Sequence, residues 1–247
     1  GDISWPEHNT IFTVPVRFSV DLKIPLLIWG ESAENENGGP LETIDRVELD
    51  RRWLEEFGGL LGLRTNDLED ILKIPKNKLI QYTYPSAAEL KRVGTIGLFI
   101  GQFIPWDSHE NAEIAASHGF KYYKNNVEGN MVPYENLDNV YMRVHDYFKF
   151  LKYGYDRVTD WCCWNIRRGK ITRREAVKIN QEKSGKFPSE YLGYPLEIVL
   201  NEIDCTREEF DNICDKFTNK NLFRCNNKDQ LIKDETGSLI LKNKNYE

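Results

Sequence analysis

The sequence predicts an α/β fold with parallel strands in its first half and a helical subdomain after it. Two short apolar runs, Ile24–Gly30 and Thr95–Trp106, each stand next to a helical pattern, as in the units that build parallel sheets. From about residue 135 the strand signal stops and a helical apolar stripe replaces it.

The elements follow in chain order. Thr10–Leu22 spaces Ile11, Val14, Phe18 and Leu22 at helical intervals, with Pro15 in the tolerated first turns. The run IPLLIWG is too short for a helix and closes on Gly30, which predicts a strand buried on both faces. The polar, glycine-bearing stretch ESAENENGGP then reads as a loop at the strand's C-terminal end, the edge where open α/β sheets bind ligands. Residues 41–92 are charged and largely helical in pattern, an insertion or cover between strands. TIGLFIGQFIPW predicts the second buried strand, Asp107 or Ser108 caps the helix after it, and Gly119 closes that helix. Leu137, Val140, Tyr141, Val144, Tyr147, Phe148 and Leu151 form the stripe of the next helix, ended by Gly154. Thr172-Arg-Arg-Glu175 and Thr206-Arg-Glu-Glu209 are capping boxes that open two more helices. The reading divides the chain into an α/β part over 1–134, a helical subdomain over 135–225 and a loosely held polar tail over 226–247.

The 247 residues are 40% hydrophobic and 29% charged, enough for a packed core and against disorder. The net charge of -6 disfavours nucleic acid and anionic membrane as generic partners, so an anion site has to be a local basic cluster. No apolar run reaches the roughly 20 residues that span a bilayer. Five cysteines without a C-x-x-C pair predict a reduced, cytoplasmic protein with no metal site in this segment. The chain opens at Gly1 inside a structured-looking stretch, which predicts the C-terminal portion of a longer protein; removal of an initiator methionine accounts for Gly1 equally well.

Three segments are candidates for chemistry. In the loop after the first strand, Trp29, Gly30, Gly38 and Gly39 let backbone amides approach a ligand, and Glu31 and Glu36 can hold a hydroxyl, an amine or Mg2+. The plain alternative is a solvated loop. At GQFIPWD, Asp107 sits where a strand feeds a helix N-terminus, a natural anion site, with plain N-capping as the alternative. The third segment carries Arg157, Thr159, Asp160, Arg167 and Arg173, the local basic cluster of an acidic chain, whose arginine forks suit phosphate or carboxylate. Its alternatives are a salt-bridged solvated face and, for Thr159–Lys183, a helix-turn-helix. The histidines show no metal spacing, and no Walker loop is present.

Several segments in order resemble one family. GDISWPEHNTIFTVPVRFSVDLKIPLLIWGESAENENGGP, GLFIGQFIPWD, EGNMVPYENLDN, HDYFKFLKYGYDRVTD, IRRGKITRREA and TREEFDNICDKF are similar, over nearly all of the chain, to the C-terminal portion of the N-acetyl sugar amidotransferases. These are relatives of ATP pyrophosphatases (adenine nucleotide alpha hydrolase-like proteins) in lipopolysaccharide, O-antigen and flagellar-sugar synthesis. The resemblance implies a partial Rossmann-like sheet, ATP and Mg2+ as cofactors, an N-acetylated sugar nucleotide as substrate and a glutaminase partner that supplies ammonia. It implies chemistry in which AMP transfer to an acetamido oxygen creates a leaving group that ammonia displaces, leaving an acetamidino sugar. Glu31, Arg157 and Asp160 would be catalytic, and Trp29, Gly30, Glu36, Gly38, Gly39, Asp107, Thr159, Arg167 and Arg173 would bind substrate or nucleotide. The family's cysteine-rich segment and SGG-x-DS loop are not in this sequence, which implies that the chain is inactive alone. Asn37 stands where the family often has Tyr, and Asp156 where many relatives have Gly. A non-catalytic docking or DNA-binding module and a tRNA-modifying ATP pyrophosphatase are the competing readings.

Overall fold

The computed structural model describes residues 3–30 and 65–242. They fall into two compact units, one within Ser4–Ala115 and the other from Ala116 onward, joined by Ile3.

In the first unit, helix α1 (Trp5–Leu22) buries Phe12, Val16 and Val20, a stripe at intervals of four. It starts five residues earlier than its apolar spacing predicts, so Pro15 lies inside the helix and leaves the Ile11 carbonyl without an intrahelical donor. Strand β1 (Leu26–Trp29) follows. Helix α2 (Thr65–Leu72) and two 3-10 turns, Lys76–Lys78 and Ile80–Tyr82, lead to helix α3 (Ala87–Val93). Ser86 and Glu89 close a capping box on α3, and Arg17 of α1 donates to the Glu89 carboxylate at 2.7 Å. Strand β2 (Ile96–Phe99) then pairs parallel with β1, Leu26 opposite Ile96 and Trp29 opposite Phe99. The Ser19 hydroxyl bonds the Ile24 carbonyl at 2.6 Å and meets the Thr95 hydroxyl at 3.0 Å, tying the ends of α1, β1 and β2 together.

The parallel pairing bears out an α/β class, but the strands are not buried on both faces as expected. Trp29 and Phe99 pack on Phe12, Val16 and Leu90 from the two helices. The opposite face leaves Leu26, Ile28 and Ile96 at 50%, 60% and 46% exposure. Apolar runs of this length predict two covered faces; here the described helices α1 and α3 both contribute to the same face. Among the described residues the parallel sheet has two strands, so the wider Rossmann-like sheet is not formed by them.

Helix α4 (Ser108–Ser117) stands at the join between the units. The second unit is built on α5 (Met142–Tyr153), α6 (Arg157–Arg167), α7 (Arg173–Lys183), the short hairpin β3 (Glu190–Tyr191) and β4 (Tyr194–Pro195), α8 (Leu196–Asn201) and α9 (Arg207–Phe217). Val144, Tyr147, Phe148 and Leu151 of α5 enter a core with Leu196, Leu200, Phe210, Cys214, Phe223 and Leu239. Leu137, Val140 and Tyr141 of the expected stripe precede the helix, because the Asn139 side chain accepts the Tyr141 amide in a local turn. Both predicted capping boxes, Thr172 with Glu175 and Thr206 with Glu209, are formed.

The described tail, to residue 242, is packed and not loosely held. Antiparallel bridges join Phe223 to Leu241, Cys225 to Leu231 and Lys233 to Leu239. Its polar residues are turn formers: Asn226 accepts the amides of Lys228 and Gln230, and Asp234 those of Thr236 and Ser238. Among the described residues no helix is long and apolar enough to cross a membrane.

Candidate functional site

In the first unit Trp29 and Gly30 stand at the C-terminal end of β1. With Ile11, Pro15, Leu27 and Ile28 they line an open, mostly apolar cleft of about 420 Å³. A Cβ added at Gly30 would meet nothing within 4 Å, so its lack of a side chain serves no close approach within the chain. Asp107 is an N-cap. Its Oδ1 accepts the His109 amide at 2.9 Å and the Glu110 amide at 3.3 Å, satisfying orphan donors at the start of α4. Glu31, Glu36, Gly38 and Gly39 lie outside the described residues.

The second unit holds the arginine-bearing segment, built around the corner between α5 and α6. Gly154 ends α5 in the left-handed region, at a φ of 78°, which a residue with a Cβ adopts only under strain. Leu222 and Leu241 lie behind it, 3.3 and 3.5 Å from where a Cβ would stand. Asp156 then caps α6, accepting the amides of Val158 at 3.1 Å and Thr159 at 3.4 Å, while its other oxygen accepts the Gly185 amide at 2.8 Å. Burial pushes the Asp156 carboxyl above its ordinary value, against the pull of those bonds. Gly185 has a φ of 72° and packs so closely on Phe150 that a Cβ would come within 2.3 Å of the ring.

From this corner the candidate side chains find internal partners. Arg157 Nε donates to Asp146 Oδ2 at 2.7 Å and Nη2 to Oδ1 at 3.3 Å, a fork on a carboxylate that is only 6% exposed. Burial opposes the guanidinium's charge, but Asp146 outweighs it and holds the group protonated. The Thr159 hydroxyl donates to Asn180 Oδ1 at 2.8 Å, pinning α6 to α7. Asp160 pairs with Lys149, whose ammonium also lies 4.8 Å above the Tyr155 ring. Arg167 in the last turn of α6 and Arg173 in the first turn of α7 are exposed. The segment thus brings Arg157, Thr159 and Asp160 onto one turn, each with a partner of its own.

Several polar residues of this unit escaped the sequence reading. Glu128 accepts the Ser189 amide at 2.8 Å, the Ser189 hydroxyl, the Glu190 amide at 3.2 Å and Arg143 Nε at 3.0 Å. Burial pushes its carboxyl up, but the Ser189 bonds and Arg143 outweigh burial and hold it below the ordinary value. Arg143, buried beneath Gly129, also donates to the Lys186 carbonyl. Tyr191, whose hydroxyl burial pushes up to about 12, donates to the Asn136 carbonyl at 3.0 Å. Their only sequence signal is polarity inside or beside an apolar stripe, as at Arg143 and Asp146 on α5.

Three of the residues expected to meet substrate or nucleotide already have partners within the chain. Asp107 is engaged by helix amides, Arg157 by Asp146 and Asp160 by Lys149. No group of three or more His, Cys, Asp or Glu among the described residues could hold a metal ion. No curated protein significantly matches the chain. Residues 120–235 match the family model described as the C-terminal domain of WbpG-like LPS biosynthesis proteins, and this similarity links the second unit to lipopolysaccharide biosynthesis.

Proposed function

We propose that the chain serves an ATP-dependent amidotransferase of lipopolysaccharide biosynthesis, one that converts the acetamido group of an N-acetylated, nucleotide-linked sugar to an acetamidino group. The observation that carries the reading is the match of residues 120–235 to a domain of LPS biosynthesis proteins. The finer reaction is supported by the resemblance of the ordered segments on both sides of residue 120, from GDISWPEHNTIF to TREEFDNICDKF. ATP and Mg2+ are the proposed cofactors, and ammonia comes from a glutaminase partner.

The roles of this chain's own residues follow from their partners. Asp156, Arg157 and Asp146 hold the α5–α6 corner, so Arg157 acts as a positioning residue for what that corner displays. Arg167 and Arg173 are exposed, and they are the cations proposed to meet a substrate phosphate. The open cleft beside Trp29 and Gly30 is the proposed place for substrate on the first unit.

The natural full-length protein, given ATP, Mg2+, an ammonium salt and a panel of N-acetylated sugar nucleotides, is expected to replace an acetamido oxygen by NH, read by mass spectrometry of the sugar. An intact acetamido group in every sugar, with ammonia in excess, removes the proposal.

A further inference from the structure

The α5–α6 corner carries a feature that the sequence reading did not single out. Tyr153 and Tyr155 flank Gly154 and are 61% and 41% exposed, although tyrosine rings ordinarily bury most of their surface. Their ring centroids lie 6.1 Å apart with 37° between planes, so the two rings form a shallow, tilted floor. Lys149, one turn before Tyr153 on α5, holds its ammonium 4.8 Å from the centre of the Tyr155 ring and pairs with Asp160 in the first turn of α6. The ammonium therefore stands over the Tyr155 ring, and with its carboxylate partner it sets a donor and an acceptor side by side there.

The corner is held in shape from below. Gly154 takes its left-handed conformation against Leu222 and Leu241, and Asp156 ties the following turn to Gly185. A pair of large exposed rings on a fixed backbone loses little conformational freedom when something lies on it.

We infer that Tyr153 and Tyr155, with Lys149 over the Tyr155 ring and Asp160 paired to it, form a platform for the pyranose ring of an N-acetylated sugar. A pyranose presents C–H bonds on one face and hydroxyls around its edge. The Tyr153 ring and the surface of Tyr155 that stays exposed beside Lys149 meet the C–H face, while Asp160 accepts from and Lys149 donates to neighbouring hydroxyls or the acetamido oxygen. A protein partner is the poorer fit. The exposed groups here are aromatic and edged by an ion pair, unlike the aliphatic Leu26, Ile28 and Ile96 that the first unit leaves open. The place of the platform rests on this geometry alone; the ligand class rests on the proposed sugar substrate.

Saturation-transfer NMR and calorimetric titration of the full chain test it, with methyl N-acetylglucosaminide, UDP-N-acetylglucosamine and UMP as probes. The glycoside is expected to take up saturation through its ring protons. Tyr155→Ala and Tyr153→Ala are each expected to weaken its binding about tenfold, the effect of some 1.4 kcal/mol, whereas Tyr155→Phe keeps it. Three results overturn the platform: no transfer to the glycoside, wild-type affinity in the double alanine variant with an unchanged circular dichroism spectrum, or binding of UDP-N-acetylglucosamine that UMP matches in affinity. Each is a reading of binding. An amidination assay that fails leaves a positive titration standing, and a titration that fails leaves the reaction to be decided on its product.

Discussion

Arg157 changes its meaning once its neighbours are known. In the sequence it heads a basic cluster, and an alanine there would remove a substrate contact while sparing the fold. In the structure its fork closes on Asp146, a carboxylate nearly out of solvent. Removing one partner of such a pair leaves the other charge buried and uncompensated, which costs far more than the pair contributes. Arg157→Ala is therefore expected to destabilise the second unit by about 3 kcal/mol in urea unfolding. Arg157→Lys is expected to restore only part of that loss, since an ammonium cannot make both bonds of the fork. Wild-type stability in the alanine variant would return Arg157 to the surface. Asp160 has the same lesson on a smaller scale, because Lys149 lies eleven positions upstream and meets it only after the chain turns at Gly154.

Among the elements, local chemistry was legible and burial was not. Thr172, Thr206, Asp107, Gly119 and Gly154 all stand at the helix ends their types predict, since a cap depends on neighbours within a few positions. The same rule applied to Ser86-Ala-Ala-Glu89 would have found the start of α3. The strands were legible as strands, but their covered faces were not, because a run such as IPLLIWG is apolar on both sides and the layer above each face is set by distant chain. The tail misled for the opposite reason. CNNKDQLIKDETGSLILKNKNYE is polar enough to read as loose, yet Leu231, Leu239 and Leu241 alternate with turn formers and close onto the core. Phe223, fully buried between Phe150 and the tail bridges, joins that tail to α5 with ring centroids 5.2 Å apart. Phe223→Ala should cost about 3–5 kcal/mol, and cutting the chain after Thr218 should leave the second unit unfolded by circular dichroism. A truncated protein with native helix content and a sharp melting transition would show that the tail is dispensable.

For the molecule as a whole, charge bears on which macromolecule it can take as a partner. The α6–α7 pair has the outline of a helix-turn-helix, with Val158, Cys162 and Ala176 in its seam and Gly169 in the left-handed region at the turn. Outline alone does not bind DNA, because non-specific affinity comes from lysines and arginines that face phosphates and release counterions. Here Arg143, Lys149 and Arg157 are each met by a carboxylate of the same unit, and the chain as a whole carries a net charge of -6. Arg167, Lys170, Arg173, Arg174 and Lys183 are exposed on the pair, but the field of an acidic chain opposes the approach of a polyanion to them. The chain is accordingly expected to give no mobility shift with duplex DNA or with tRNA even at about 50 mM salt, where electrostatic binding is strong. A shift that weakens steeply as salt rises would mean that α7 faces phosphates, and it would put the nucleic-acid reading of this helix pair ahead of the sugar-modifying one.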